Sequence, residues 1–291
     1  WAKAGFEVRH EQFAINDKLS SAFKPATLKT GRQADVKAAE EWFNAVKPHF
    51  YRAPMDNDKG FGNWIAKDWK NNRLDNPEVV TVKPLSSKHN ADGTVTVAVT
   101  QECRYVNGKI TADYLYTMDA YGSVDFKAVY TPEGQLPPLP CVGNTFVLDK
   151  DMTQLSWYGM GLQDSYVDRL EATSIGRWTS SVPQEYVHYP RPQSSGNHEQ
   201  TVTLSLTTAK GKGYTVTTAD GKPFSFSALP YSEAQLSTVA HDCDLQAEDN
   251  VYLNIDARMM GLGNSSCGPG VLTKYSVPQE PHTLHLMFTR K

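Results

Sequence analysis

The four cysteines, Cys103, Cys141, Cys243 and Cys267, are scattered, with no Cys-x-x-Cys pair and no metal-ligand spacing. That pattern argues against a disulfide framework or a zinc ribbon and points to free thiols. No apolar run approaches the roughly 20 residues that a membrane-spanning helix requires. Lysine and arginine are nowhere clustered, and the net charge of −3 offers no basic surface to nucleic acid. No signal peptide is read at the start. The chain opens at Trp1 without a methionine, which suggests a processed chain or a piece of a longer protein and leaves the compartment open between cytoplasm and periplasm. No fixed-length repeat stands out, which argues against a propeller or solenoid.

What is present is the composition of a globular protein, 40% hydrophobic and 21% charged. Its 291 residues suffice for one large all-β domain or two ordinary ones. Residues 33–46 carry Ala34, Val36, Ala38, Ala39, Trp42 and Phe43 at roughly helical spacing, with Pro48 ending the run. From Glu78 the period becomes two. Val95, Val97 and Val99 alternate with threonines and alanine, as a strand with one buried face should. Asn107-Gly108 signals a hairpin into residues 110–118, and Gly122 turns the chain into residues 124–130. A proline-rich connector over 132–140 leads to a short run at 145–148. Further alternating runs lie at 201–208, 214–218, 224–226, 251–255 and 284–288. Ser232-Glu233-Ala234-Gln235 reads as a capping box opening one short helix. Many short strands between turns, with almost no helix, mean an all-β antiparallel sandwich or barrel.

Three stretches break the periodicity. The first is Arg-Ala-Pro-x-Asp-Asn-Asp-x-Gly at 52–60, where Pro54 presets an extended entry and Asp56, Asn57 and Asp58 favour a self-braced turn. Arg52 suits bidentate pairing with one of the aspartates. A calcium loop fails on register, because counting from Asp56 places Lys67 where the bidentate glutamate belongs. A turn locked by an ion pair and a ligand-facing loop both remain open. The second stretch covers Trp157, Gln163, Asp164, Tyr166, Asp168 and Arg169, followed by residues 186–197, where aromatics, amides and acids could form a sugar-binding cleft. Trp157 and Tyr166 could equally be core anchors. The third is glycine-rich, from Met260 to Gly270, and lacks the strand-then-helix setting of a phosphate loop.

Taken in order, these motifs resemble the C-terminal domain of family 2 β-galactosidases. The match consists of residues 52–60, Trp-Tyr-Gly-x-Gly…Tyr-x-Asp-Arg at 157–169, Tyr-x-x-Tyr-x-x-Pro-Gln…Gly-Asn at 186–197, and Leu-Asn-Ile-Asp…Met-Gly-Leu-Gly…Ser-Cys at 253–267. Residues 1–8 resemble the end of the sandwich domain that precedes it. The resemblance implies a large antiparallel supersandwich of the galactose mutarotase-like type over 48–291, with one or two short helices, and a linker or domain end over 1–47. It implies that Arg52, Asp56, Asn57, Asp58 and Gly60 border a sugar pocket, and that the loop from Gly60 to about Ile65 can close over it. Cys267 stands where the family carries an aromatic residue on the aglycone side, and a thiol cannot stack on a sugar ring. Trp157, Gln163, Tyr166, Asn254 and Asp256 are further candidates for the cleft.

Glycoside hydrolysis needs two carboxylates about 5 to 9.5 Å apart. The resemblance implies that both are glutamates on an upstream barrel, so no catalytic residue is expected in this segment. It also implies no metal or cofactor here, the magnesium and sodium of the full enzyme being held mostly elsewhere. Glu185-Tyr186 mimics the family's nucleophile dipeptide but falls inside the third motif. Asp56 with Asp58, and Asp164 with Asp168, read as structural acids. The expected partners are a galactoside or other carbohydrate, the upstream barrel and, in the full enzyme, further copies of itself. A stand-alone carbohydrate-binding module is the alternative. An aldose epimerase is another, and it would need a histidine among His188, His198 and His241 to meet a glutamate.

Overall fold

The computed structural model describes residues 33–60 and 65–291. The resemblance at residues 1–8 and most of the loop expected to close, residues 61–64, therefore lie outside the described residues. Among the described residues fourteen strands follow in order: β1 (Val46–His49), β2 (Glu78–His89), β3 (Val95–Arg104), β4 (Gly108–Met118), β5 (Val124–Gly134), β6 (Cys141–Asp149), β7 (Gln154–Gly161), β8 (Ser174–Ser181), β9 (His198–Thr201), β10 (Thr203–Thr207), β11 (Gly213–Thr218), β12 (Phe224–Leu229), β13 (Asn250–Met259) and β14 (His282–Arg290). They form a five-stranded sheet ordered β1-β6-β13-β12-β9 and a nine-stranded sheet ordered β2-β3-β4-β5-β14-β11-β10-β7-β8. The strand pairings are antiparallel, as the short turns between successive strands favour. The all-β antiparallel fold read from the sequence is borne out.

The alternation decides which side chains face the core. Val95, Val97 and Val99 on β3, Tyr114 and Tyr116 on β4, Phe126 and Ala128 on β5, and Leu284, Leu286 and Phe288 on β14 are all buried. They belong to the same cluster as Phe146 on β6, Leu253 and Ile255 on β13 and Phe226 on β12, from the other sheet. Phe126 lies 5.7 Å from Phe146, ring to ring, in an edge-on arrangement that suits the aromatic quadrupole. Asn144 is a polar side chain on this inner face. It is satisfied by donating to Lys47 O (2.9 Å) and Tyr114 Oη (3.1 Å) and by accepting from Tyr130 Oη.

Four short α-helices accompany the strands among the described residues, where one or two were expected: α1 (Val36–Trp42), α2 (Asp56–Lys59), α3 (Ile65–Asn72) and α4 (Glu233–Thr238). Asp35 caps α1 by accepting from the amides of Lys37 and Ala38. The helix is shorter than the helical pattern over 33–46, because from Val46 the chain pairs with Phe146 as β1. β1 thus runs through the boundary placed at residue 47, and Ala39 and Phe43 join the common core. Trp42 packs its ring against Tyr116, Phe126, Phe146 and Phe288. α3 was not legible as a helix, yet its Trp69 is fully buried and donates to Pro138 O (2.8 Å). β2 carries Pro84 through a strand, which an edge position allows; its register slips on both sides of Lys83.

Phe126→Ala removes a ring at the centre of the aromatic cluster and leaves a cavity between the sheets. A loss of about 3–5 kcal/mol is expected, read as a lowered urea-unfolding midpoint with an unchanged slope.

Candidate functional site

The non-periodic stretches meet at one end of the five-stranded sheet. Asn57 donates to Gly263 O (2.8 Å) and accepts from Ser266 N and Oγ. Asp168 takes the amides of Leu262 (3.0 Å) and Gly263 (2.8 Å), one on each oxygen. Arg169 Nη2 reaches Asn264 Oδ1 (3.0 Å). Gln193 Oε1 accepts from Asp56 N (2.8 Å), and Ser194 N donates to Ala53 O (3.2 Å). Ser165 and Asn197 are joined twice through backbone and amide groups. Stretches spread over more than 200 residues of sequence thus brace one another. Gly263 sits at φ +61, a left-handed conformation that glycine adopts without strain.

Arg52 is the anchor. Its guanidinium is fully buried and grips Asp58 bidentately, Nη2 to Oδ1 at 2.7 Å and Nε to Oδ2 at 3.1 Å. Nη1 donates to Met260 O (3.0 Å), and the guanidinium lies 5.7 Å from the centre of the Trp69 ring. Asp58 Oδ2 also accepts from Met55 N, closing the single helical turn of α2. The turn locked by an ion pair, one of the two readings left open, describes Arg52 and Asp58. Neither side chain reaches the surface, so any contact they have with a ligand would be indirect. Asp56 is exposed, Asn57 and Gly60 are half-buried, and Cys267 is exposed at the tip of its loop.

The other candidates divide. Gln163 is exposed. Trp157 is a β7 residue, 3% exposed, packed against His198 and Phe226 with Nε1 bonded to Met160 O; it is a core anchor. Tyr166 is equally buried, against Met55, Cys141 and Met259. Asn254 and Asp256 lie on the face of β13 opposite the core. There Thr145 Oγ1 donates to Asn254 Oδ1 (2.6 Å), and Asn254 Nδ2 donates to Ser227 Oγ (3.1 Å), a polar row across three strands. Asn254 also lines a cleft of about 570 Å³ beside β1, with His49, Tyr51, Tyr105, Thr145 and Glu233. Trp157, Gln163, Tyr166 and Asp256 are not among the residues of that cleft.

Glu233 was seen in the sequence only as part of a capping box. Ser232 Oγ does accept from Gln235 N, but Gln235 turns to Gln246 O, and Glu248 takes the Ser232 amide instead. Glu233 itself reaches the Ala53 amide and Ser194 Oγ (3.0 Å), and so ties α4 to two of the loops. Burial raises its carboxyl, opposed by the nearby His49 charge. Glu185 pairs with His198 Nε2 at 2.6 Å. A histidine and a glutamate do meet, then, but at 1% and 7% side-chain exposure they are out of a substrate's reach.

A scan against family models matches residues 23–289 to the β-galactosidase small chain. The chain belongs to that family. It is 28% identical to a β-galactosidase of Actinobacillus pleuropneumoniae over 94% of this chain and 26% of that protein. The figures for the Streptococcus thermophilus β-galactosidase are 32%, 75% and 21%, and for that of Kluyveromyces lactis 30%, 90% and 24%. The chain therefore spans about a quarter of the length of these β-galactosidases. Among solved structures, an Escherichia coli chain described as a candidate aldose 1-epimerase superposes with a TM-score of 0.36 at 11% identity, over 72% of this chain and 69% of that one. A superposition that loose carries no weight here.

Two outcomes are expected from this small-chain site. Arg52→Ala leaves Asp58 buried without its cation and should cost about 3–5 kcal/mol, measured as a drop in unfolding free energy. Glu199 accepts from Asn197 Nδ2 (3.1 Å), and burial pushes it from its ordinary 4.5 up to about 8. Between those values the native protein keeps a proton that the unfolded chain releases, so stability falls as pH rises across that window. The slope approaches about 1.4 kcal/mol per pH unit. Glu199→Gln should remove that slope in urea titrations run from pH 4.5 to 8.

Proposed function

We infer that this chain is the C-terminal part of a β-galactosidase that hydrolyses terminal β-D-galactosides. In this reading it completes and gates a sugar pocket whose catalytic glutamates sit on an upstream barrel of the same polypeptide. The observation that carries the reading is the mutual bracing of the loops at residues 52–60, 164–169, 193–197 and 260–267. Such bracing is how a scaffold holds binding residues at fixed positions. The exposed groups at this rim, Asp56, Gln163 and Cys267, are then free to face a sugar or a neighbouring domain.

Three carboxylates in or beside these loops fit a supporting role. Asp58 is held by Arg52, Asp168 by two amides and Glu185 by His198. A retaining or inverting pair needs two acids facing one another across open space, and these acids face protein groups. Membership of the small-chain family and the short span relative to its members support the same division of labour.

The isolated chain should therefore give no measurable turnover of an aryl β-galactoside. In the complete polypeptide, Asn57→Ala unties residues 52–60 from residues 263–266 and should raise KM several-fold with a smaller change in kcat. Hydrolysis by the isolated chain at the complete enzyme's rate, or an unchanged kcat/KM in the Asn57 variant, would overturn the reading.

A further inference from the structure

On the face of the five-stranded sheet opposite the core, β1, β6 and β13 bring three metal-ligating side chains together. His49 and Asp256 both stand opposite Gly143, from opposite sides of β6. Because Gly143 has no side chain, the imidazole and the carboxylate meet over it, with Nδ1 2.8 Å from Oδ1. A Cβ at Gly143 would run into that same Asp256 oxygen. Cys141 lies two residues back along β6, its Sγ 3.8 Å from His49 Nε2. The donor atoms of the three residues all lie within 4.8 Å of one another. Two independent facts mark the place as a site. All three side chains are buried, and the second carboxylate oxygen of the fully buried Asp256, Oδ2, has no hydrogen-bond partner. A buried oxygen left unpaired is costly unless something satisfies it.

We propose that His49, Cys141 and Asp256 form a structural zinc site, entered from the cleft that His49 and Glu233 line. Thiolate, imidazole and carboxylate are the donors zinc takes, usually in tetrahedral geometry. An imidazole gives an ion one nitrogen at a time. With bonds of about 2.3 Å to sulfur and about 2.0 Å to nitrogen, binding through Nε2 sets a nitrogen–sulfur distance of about 3.5 Å, close to the 3.8 Å present. Asp256 exchanges its Nδ1 contact for the ion within the 4.8 Å that the three donors span. A thiolate and a carboxylate also neutralise the charge of a divalent ion, so no net charge is buried. The fourth position falls to a water from the cleft. A nucleophilic reading of the same trio, with the thiol activated by the histidine, fails because the Cys141 thiol is wholly buried and burial pushes it up to about 11. The ion would pin β1, the outermost strand of its sheet among the described residues, to β13 across β6, immediately before the Arg52 turn. The site stands independently of the galactosidase reading.

The test uses the complete polypeptide, stripped with a chelator, reloaded with Zn²⁺ or Co²⁺ and freed of excess metal. The wild type should retain one equivalent of zinc more than Cys141→Ser. Its cobalt form should show a thiolate-to-metal charge-transfer band that is absent in Cys141→Ser and retained in Cys267→Ser, whose thiol is exposed. If Cys141→Ser does not fold, His49→Gln serves as the second variant, with loss of the same equivalent and the same band expected. Equal zinc content in wild type and variant, a band that survives Cys141→Ser, or no band in the cobalt-loaded wild type would each overturn the assignment.

Discussion

A guanidinium with no exposure to solvent holds this end of the molecule together. Moving a charge out of water costs many kcal/mol unless a counter-charge and hydrogen bonds replace the solvent. Arg52 meets that demand with the Asp58 carboxylate, the Met260 carbonyl and the face of Trp69. These partners come from its own turn, from the end of β13 and from α3. The charge therefore constrains three separate segments at once, since moving any of them away uncovers it. That requirement turns a polar loop into a fixed piece of scaffold and lets the neighbouring loops be built against it.

The sheet beneath the loops is organised by a second constraint. Asn144 apart, its inner face is apolar and interchangeable in kind: valine, leucine, isoleucine and phenylalanine pack against the facing sheet. Its outer face is polar and specific. Thr145, Asn254 and Ser227 form one row, and His49, Gly143 and Asp256 form the next. Glu233 covers these rows and bonds to the loop backbone at Ala53. A buried polar layer of this kind tolerates little rearrangement, because each broken bond leaves a desolvated group behind. Precision at the rim is thus inherited from the outer face of the sheet, while the apolar core supplies the bulk of the stability.

The fold was largely legible because period-two alternation is local: each strand announces its buried face within a few residues, as β3 does with Val95, Val97 and Val99. The coming together of the motifs was legible only through resemblance, since nothing local in Asn57 indicates that it bonds to Gly263 and Ser266. Three kinds of feature escaped. Trp157 was read with the loop that follows it although it sits in β7, because glycines at 159 and 161 hide the alternation. The α3 helix is too short for its periodicity to rise above its charged residues. The trio of His49, Cys141 and Asp256 has no sequence spacing at all, its members being 92 and 115 residues apart; only the sheet order makes them neighbours.

The distribution of acids bears on what such a chain can do by itself. A general acid or nucleophile must present an oxygen to a substrate, with its protonation set by a neighbour across open space. Around these loops three carboxylates instead end on protein, Asp58 on a guanidinium, Asp168 on two amides and Glu233 on an amide and a hydroxyl, while Asp56 stays exposed. Each such bond fixes a backbone segment and, by the same contact, withdraws the oxygen from chemistry. Bracing and catalysis compete for the same atoms. Where an acid is committed to bracing, as these three are, it fixes the geometry of the loops and offers a ligand nothing but the backbone it holds in place.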